Sequence, residues 1–64
     1  MKRFYRLTDN PKKIINIDDI SMFDFDESIN KYMVFINGLK NCIFIEEGDA
    51  NIIMDKLHII NDFD

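Results

Sequence analysis

Residues 32–45 read YMVFINGLKNCIFI, two apolar runs joined at Asn37-Gly38. Asn-Gly between alternating apolar residues is the strongest short-range signal for a β-hairpin, because a type I′ turn needs positive φ at both central residues. A two-residue turn also fixes the register of the two strands. The predicted opposed pairs are Ile36 with Leu39, Phe35 with Lys40, Val34 with Asn41, Met33 with Cys42 and Tyr32 with Ile43.

Both faces of the predicted hairpin are apolar. One face carries Tyr32, Val34, Ile36, Leu39, Ile43 and Ile45, with Asn41 as its polar member. The other face carries Met33, Phe35, Cys42 and Phe44, with Lys40 near the turn. An antiparallel strand with one solvated face should instead alternate apolar with polar residues. We therefore expect that both faces need cover.

A single helix is predicted after the hairpin. Asp49, which follows Gly48, is a good N-cap, and the helix is expected from about Ala50 to Ile60. Successive side chains are about 100° apart around a helix, so the apolar residues that share one side form the expected core stripe. They are Ala50, Ile53, Met54, Leu57 and Ile60. Ile52 and Ile59 fall nearly opposite. One helix can cover only one face of the hairpin, so apolar surface is left over on both elements.

The N-terminal half is predicted to be extended, with one turn and one irregularity. The first strand, KRFYRLT, ends near Thr8, since DNPKK has turn chemistry and Pro11 cannot donate to a ladder. Adjacent carboxylates at Asp18 and Asp19 are poor strand formers, so the chain bends there through either a bulge or a turn. We predict one α+β domain over residues 1–64: a small antiparallel β-sheet of about four strands, then one C-terminal α-helix.

Charge and composition restrict the classes of function. The net charge is −4, but residues 1–13 carry +4 and residues 14–64 carry −8. The single cysteine, Cys42, excludes an internal disulfide, and no apolar run approaches the ~18 residues of a membrane span. A composition rich in Ile, Asn, Lys and Asp indicates an AT-rich source such as a low-GC bacterium or its phage. With no signal-peptide pattern, we expect a location in the bacterial cytoplasm.

The sequence shows no catalytic signature. His58 has no second His or Cys nearby, Cys42 stands in an apolar strand pattern, and Ser21 and Ser28 lack any triad or elbow context. The spacing of the carboxylates matches no EF-hand loop. We therefore expect a protein that is not an enzyme and that uses no cofactor and no metal.

Acidic residues are the main candidates for contact with a partner. They are Asp24, Asp26, Glu27, Glu46, Glu47 and Asp49. Acids two apart on a strand are separated by about 6.7 Å, comparable with neighbouring phosphates on a nucleic-acid strand. An acidic field also favours a basic partner surface, which in a cell is most often one that holds nucleic acid. The alternative is that these acids form a solvated face that keeps a small apolar protein soluble.

The surplus apolar residues predict an interface. Their candidate members are Met33, Phe35, Phe44, Ile52 and Ile59. Exposed apolar patches on small soluble proteins usually mark interaction sites, and a two-fold homodimer is the commonest closed arrangement. We expect a homodimer made by sheet packing or edge pairing. The alternative is a curled sheet that closes over its own second face.

The order RLTDNPKKIINIDDI, YMVFINGLKNCIFIEE and a short helix resembles small flagellar FlbD-type proteins. The matching positions are Leu7, Thr8, Ile15, Asn16, Asp18, Ile20, Asn37, Gly38 and Glu46. Pro11 and the acids of MFDFDES depart from that pattern. This resemblance implies a structural or regulatory module that docks a partner through apolar surface. By charge and size alone, the chain is also similar to small acidic phage proteins that occupy DNA-binding surfaces of host enzymes.

Two functional hypotheses follow. The first is an acidic, phage-encoded inhibitor that mimics DNA on a basic host protein such as the sliding clamp, RNA polymerase or uracil-DNA glycosylase. The second is an FlbD-like interaction module that binds through apolar surface. Direct binding of nucleic acid through Lys2, Arg3, Arg6, Lys12 and Lys13 is disfavoured by the acidic remainder of the chain. We expect no membrane partner.

Overall fold

Two small antiparallel sheets and one helix near the C-terminus make up the fold, as seen in a computed structural model that describes residues 2–58. The elements are β1 (Phe4–Arg6), β2 (Ile14–Asn16), a 3₁₀ turn (Ile17–Asp19), β3 (Ile20–Asp26), β4 (Lys31–Ile36), β5 (Ile43–Ile45) and α1 (Glu47–Lys56). The predicted α+β class is confirmed. The five strands form a β1-β2 ladder and a separate sheet of order β3-β4-β5.

The two adjacent aspartates mark the point where the chain passes from the first sheet to the second. The Asn16 side chain accepts a hydrogen bond from the Asp18 amide at 3.1 Å, and its own amide donates to the Asp19 carboxylate at 3.1 Å. These contacts close the 3₁₀ turn, so the open alternative between a bulge and a turn resolves to a turn. A bulge does occur just beyond it, between Ile20 and Met22 in β3.

The predicted register between β4 and β5 is wrong by two residues. The observed pairs are Tyr32 with Ile45, Met33 with Phe44, and Val34 with Ile43. The chain does turn at Asn37-Gly38, where the Leu39 amide donates to the Ile36 carbonyl at 3.1 Å. Positive φ is confined there to Gly38, at 90°, as in a type II turn and unlike the predicted type I′ turn. Residues 39–42 then form a loop before β5, which places Leu39 and Asn41 outside the ladder.

The two faces of the hairpin nevertheless carry the predicted strand residues. A shift of two residues preserves the side to which each side chain points, because side chains alternate with a period of two. Val34 and Ile45 are therefore buried on one face, while Met33 and Phe44 lie together on the other. Leu39 is the exception, since it has left the buried face and is exposed in the loop.

Helix α1 begins three residues before the predicted start. Its N-cap is Glu46, which makes no side-chain capping hydrogen bond, and Asp49 lies inside the first turn. The predicted N-cap role of Asp49 is wrong because the helix already begins at Glu47, and the Asp49 carboxylate accepts hydrogen bonds from Tyr5 and Thr8 instead. The predicted core stripe is correct over the described residues: Ala50 and Ile53 are buried, and Met54 and Leu57 pack against the core. Ile59 and Ile60 lie outside the described residues.

The core lies where the β1-β2 ladder, helix α1 and one face of the three-stranded sheet meet. Its buried apolar members are Leu7, Ile15, Ile17, Val34, Ile45, Ala50 and Ile53. Each of the three units contributes one side to this cluster, which leaves the opposite side of each unit facing outward. No helix among residues 2–58 has the length and apolar character needed to cross a membrane.

Candidate binding surfaces

The outward side of the three-stranded sheet is the first candidate surface, and we call it the open face. It consists of three rows of side chains across the strands: Met22 and Phe35; Asp24, Met33 and Phe44; and Asp26, Lys31 and Glu46. The rows change from apolar at one end to charged at the other. Two groups that are predicted separately from the sequence, the sheet apolar residues and the strand acids, therefore share one face.

The apolar part of the open face is substantially exposed. Met22 and Phe44 retain 48% and 46% of their accessible surface, and Met33 and Phe35 between them are half-buried. The predicted alternative, a sheet that closes over its own second face, is not what the described part of the chain shows. Apolar residues grouped in this way differ from single exposed apolar side chains, which are common on any protein surface.

The acidic end of the open face is assembled from two separate stretches of sequence. Because the strands are antiparallel, the end of β3, the start of β4 and the start of α1 meet at the same end of the sheet. Asp26 and Glu46 therefore lie on either side of Lys31, and Asp24 lies one row away on the same face. Glu27 and Glu47 directly follow Asp26 and Glu46 in the chain and are exposed. Lys31 lies among them and forms an ion pair with Glu46 at 3.8 Å.

The carboxylates at the acidic end of the open face differ in whether they already make hydrogen bonds or ion pairs. Asp26 accepts hydrogen bonds from the Ser28 amide at 3.0 Å and the Ser28 hydroxyl at 2.6 Å, which fixes the turn after β3. Among residues 2–58, Asp24, Glu27 and Glu47 are exposed and make no side-chain hydrogen bond or ion pair. These three carboxylates are therefore the ones available to a partner.

Asp49, the sixth predicted acid, belongs to the interior. It is 2% exposed, and its two oxygens accept hydrogen bonds from the Tyr5 hydroxyl at 2.7 Å, the Thr8 amide at 3.1 Å and the Thr8 hydroxyl at 2.9 Å. Burial acts to raise the pKa of Asp49, but these hydrogen bonds outweigh it and hold the pKa below 3.8. The bond to Asp49 raises the pKa of Tyr5 to about 12. Asp49 therefore links α1 to the β1 strand rather than facing a partner.

The outward side of the β1-β2 ladder is a second surface, which we call the ladder face. Its two rows are Phe4 with Asn16 and Arg6 with Ile14, while Tyr5 and Ile15 point inward. Phe4 and Ile14 retain 65% and 50% of their accessible surface. This surface is not among the predicted ones, although the alternation of KRFYRLT indicates it, since Phe4 and Arg6 must share a side opposite Tyr5.

Arg3 holds the ladder against the last turn of the helix. Its guanidinium forms an ion pair with Asp18 at 2.7 Å and donates to the Lys56 carbonyl at 2.7 Å. The hydrogen bond from Arg3 lowers the pKa of the Asp18 carboxyl. Arg3 is thus occupied internally, and it is removed from the basic group that the sequence analysis considered for nucleic acid.

The remaining candidate residues are dispersed. Ile52 is 47% exposed on the outer side of α1, away from the open face, and Ile59 lies outside the described residues. Cys42 is a half-buried free thiol in the loop before β5, and His58 is exposed after α1. Within residues 2–58, no three His, Cys, Asp or Glu side chains are grouped so that they could hold a metal ion.

Comparisons of the chain with protein-family models, with curated proteins and with solved structures gave no match. The resemblances to FlbD-type proteins and to small acidic inhibitors therefore stay predictions.

Proposed function

We propose that this chain is a non-enzymatic acidic binding protein whose open face occupies a basic, nucleic-acid-binding surface of another protein and blocks it. The observation that supports this most is that Asp24, Asp26 and Glu46 lie on one face whose other end is apolar, with the exposed acids Glu27 and Glu47 next to them in the chain. A surface that holds nucleic acid is basic, so the acidic end complements it in charge.

The two halves of the open face would contribute differently to such a complex. Charges at the rim of an interface mainly steer association and set specificity, while buried aromatic and methionine side chains carry more of the affinity. Phe44 and Met33 lie in the same row as Asp24, so one contact can use both kinds of interaction. A partner groove with an apolar floor and basic rim fits this arrangement.

The test is a pull-down from bacterial lysate with the tagged protein, eluted by a salt gradient and read by mass spectrometry. The structure selects Asp24→Lys with Glu27→Lys as the charge-reversal variant, because Asp26 is also needed for the Ser28 turn. The control is Asp9→Lys with Asp55→Lys, which changes the net charge by the same amount. Asp9 is exposed in the turn between β1 and β2, and Asp55 is exposed on α1. A captured nucleic-acid-binding protein is then tested for loss of nucleic-acid binding when the purified chain is added.

We expect the partner to elute at moderate salt, to be lost with the Asp24/Glu27 variant and to be kept by the Asp9/Asp55 variant. We also expect the purified chain to displace nucleic acid from that partner. If both variants lose the partner equally, binding depends on the net charge of the chain and not on Asp24 and Glu27. A partner that still binds nucleic acid in the presence of the chain would contradict inhibition.

The half-exposed apolar residues favour a second candidate, an interaction module that docks mainly through apolar surface. In that case binding would persist at high salt and would be lost with Phe44→Ser or Ile52→Asp. The two positions lie on different surfaces, the open face and the outer side of α1, so the comparison also identifies which surface is used. Retention of the partner through high salt by the Asp24/Glu27 variant would favour this candidate.

A further inference from the structure

The ladder face and the open face have opposite charges and similar apolar centres. On the ladder face, exposed Phe4 and Ile14 accompany Arg6, and the exposed residues Lys2, Lys12 and Lys13 belong to the same N-terminal segment. The acids of this region are Asp9, Asp18 and Asp19, of which Asp18 is paired with Arg3. The open face combines Phe44 and Met22 with the acidic end.

We infer that the open face accepts the ladder face of a second copy of this chain. In such a contact, Phe4 and Ile14 of one copy lie on the apolar rows of the next, and Arg6 lies toward Asp24. Every molecule carries both the open face and the ladder face. The apolar parts of the two faces can pack together, and their charged parts are opposite in sign. Two open faces would fit each other less well. In one orientation their acidic ends would repel each other, and in the other an acidic end would lie on an apolar end.

The contact is head-to-tail rather than two-fold. Tyr5 and Ile15 of the ladder and Val34 and Ile45 of the sheet all point into one core, so the two outer faces point away from it in different directions. A molecule can therefore offer its ladder face to one neighbour and its open face to another, which gives a ring or a short chain. This assembly replaces the two-fold homodimer that the sequence analysis expects.

Edge pairing, the other predicted route to association, is opposed by the structure of β3. This strand is an edge of its sheet and carries a bulge between Ile20 and Met22 together with Asp24 and Asp26. Bulges and charges are the devices by which edge strands avoid pairing with other chains. Pairing through the β3 edge is therefore disfavoured relative to contact between faces.

The strength of the contact is limited by its size. The ladder face comes from two strands of three residues each, so the buried area falls in the weak class below about 1,200 Å². We expect association that depends strongly on protein concentration. Because a second copy would cover the same open face that is proposed to bind a partner, self-association and partner binding would compete.

The test uses analytical ultracentrifugation of the pure, untagged full chain over a concentration series. The wild type is expected to rise above its 7.6 kDa monomer mass at high concentration and to return toward it between about 0.1 and 1 M salt. Arg6→Glu, with a damaged ladder face, and Asp24→Lys, with a damaged open face, should each stay monomeric. Their mixture should associate again, because the unaltered open face of one variant meets the unaltered ladder face of the other, and the two reversed charges are also opposite in sign.

The control is Lys40→Glu, which changes the charge as Arg6→Glu does but in the loop before β5. It should associate like the wild type, and circular dichroism checks that all variants fold. A double variant with both Arg6→Glu and Asp24→Lys should associate again, since the charges are exchanged.

A wild type that remains monomeric at every concentration would overturn the inference. So would an association that survives in either single variant, or a mixture that forms no complex. These measurements use only the pure chain, so their failure leaves the pull-down result standing, and a failed pull-down does not affect them.

Discussion

Asp49 lies in the first turn of α1 with both carboxylate oxygens engaged by groups from the other end of the chain. An acid near a helix N-terminus is also favoured by the helix dipole. The hydroxyl of Tyr5 and the backbone of Thr8 thereby join the first strand to the helix. Removing one of these donors leaves a buried carboxylate short of a partner, which is costlier than the loss of an exposed hydrogen bond.

We therefore predict that Tyr5→Phe destabilises the protein by about 1.5–3 kcal/mol, the range for a hydrogen bond to a charged group. Tyr32→Phe is the control, because Tyr32 packs edge-on against Phe25 and its hydroxyl makes no hydrogen bond within residues 2–58. That change should alter stability by less than about 0.5 kcal/mol. Urea unfolding of both variants measures the difference, and equal effects would contradict the role given to the Tyr5–Asp49 bond.

The same pair predicts how stability depends on pH. The pKa of Asp49 is below 3.8 in the folded state, so its contribution is present above that pH and is lost as the pH falls through the lower, folded value. The pKa of Tyr5 rises from 10.0 to about 12, so its contribution is complete below pH 10 and is lost between pH 10 and 12. Unfolding midpoints across pH should show that Tyr5→Phe flattens the alkaline decline. An unchanged alkaline slope would contradict it.

The two glycines give a matched prediction. Gly38 has φ of 90°, while Gly48 lies in the first turn of α1, and an added Cβ would meet nothing at either site. Gly38→Ala should therefore cost about 1 kcal/mol through backbone strain alone. Gly48→Ala should stabilise by about 0.4–1 kcal/mol by restricting the unfolded chain. Thermal unfolding measures both, and changes of the same sign would contradict the turn geometry.

At the scale of elements, the β4-β5 hairpin shows what sequence reasoning can and cannot fix. The alternation of Met33, Val34 and Phe44 assigns each side chain to a face, and that assignment survives a register shift of two residues. The register itself depends on whether Asn37 adopts positive φ, and nothing local forces it to do so. The burial of Asp49 was beyond prediction for a similar reason, because its partner Tyr5 is 44 residues away.

The last turn of α1 depends on Arg3, which reaches both Asp18 and the Lys56 carbonyl. Arg3→Lys keeps the charge but loses the planar fork that can contact both groups at once. We expect faster hydrogen exchange at the Leu57 amide, which donates to Ile53 in the final turn, with no change in β4. Arg6→Lys is the control, since the hydrogen bond that the Arg6 guanidinium makes within residues 2–58 goes to the Pro11 carbonyl, in the turn between β1 and β2. Equal acceleration by the two variants would contradict the link.

At the scale of the whole molecule, one helix covers one side of a sheet that is apolar on both sides. The sequence predicts that imbalance correctly, because the count of apolar faces exceeds the elements available to cover them. It does not predict that β1 and β2 form their own ladder and close the core from a third side. That arrangement depends on contacts of the 3₁₀ turn and Arg3, which alternation and propensity do not reveal. Both outer faces, the open face and the ladder face, result from it.

A core of this size has little reserve, so one buried isoleucine should decide whether the chain folds. At about 0.05–0.15 kcal/mol per residue, a chain of this length has only about 3–10 kcal/mol of stability. Ile53 is fully buried among all three units, and Ile53→Ala should cost about 2–5 kcal/mol, enough to unfold a large fraction of the molecules. Ile52→Ala, at a half-exposed neighbour on the outer side of α1, should cost less than about 1 kcal/mol. Urea unfolding compares the two variants, and a larger loss at Ile52 would mean that the helix presents its other side to the core.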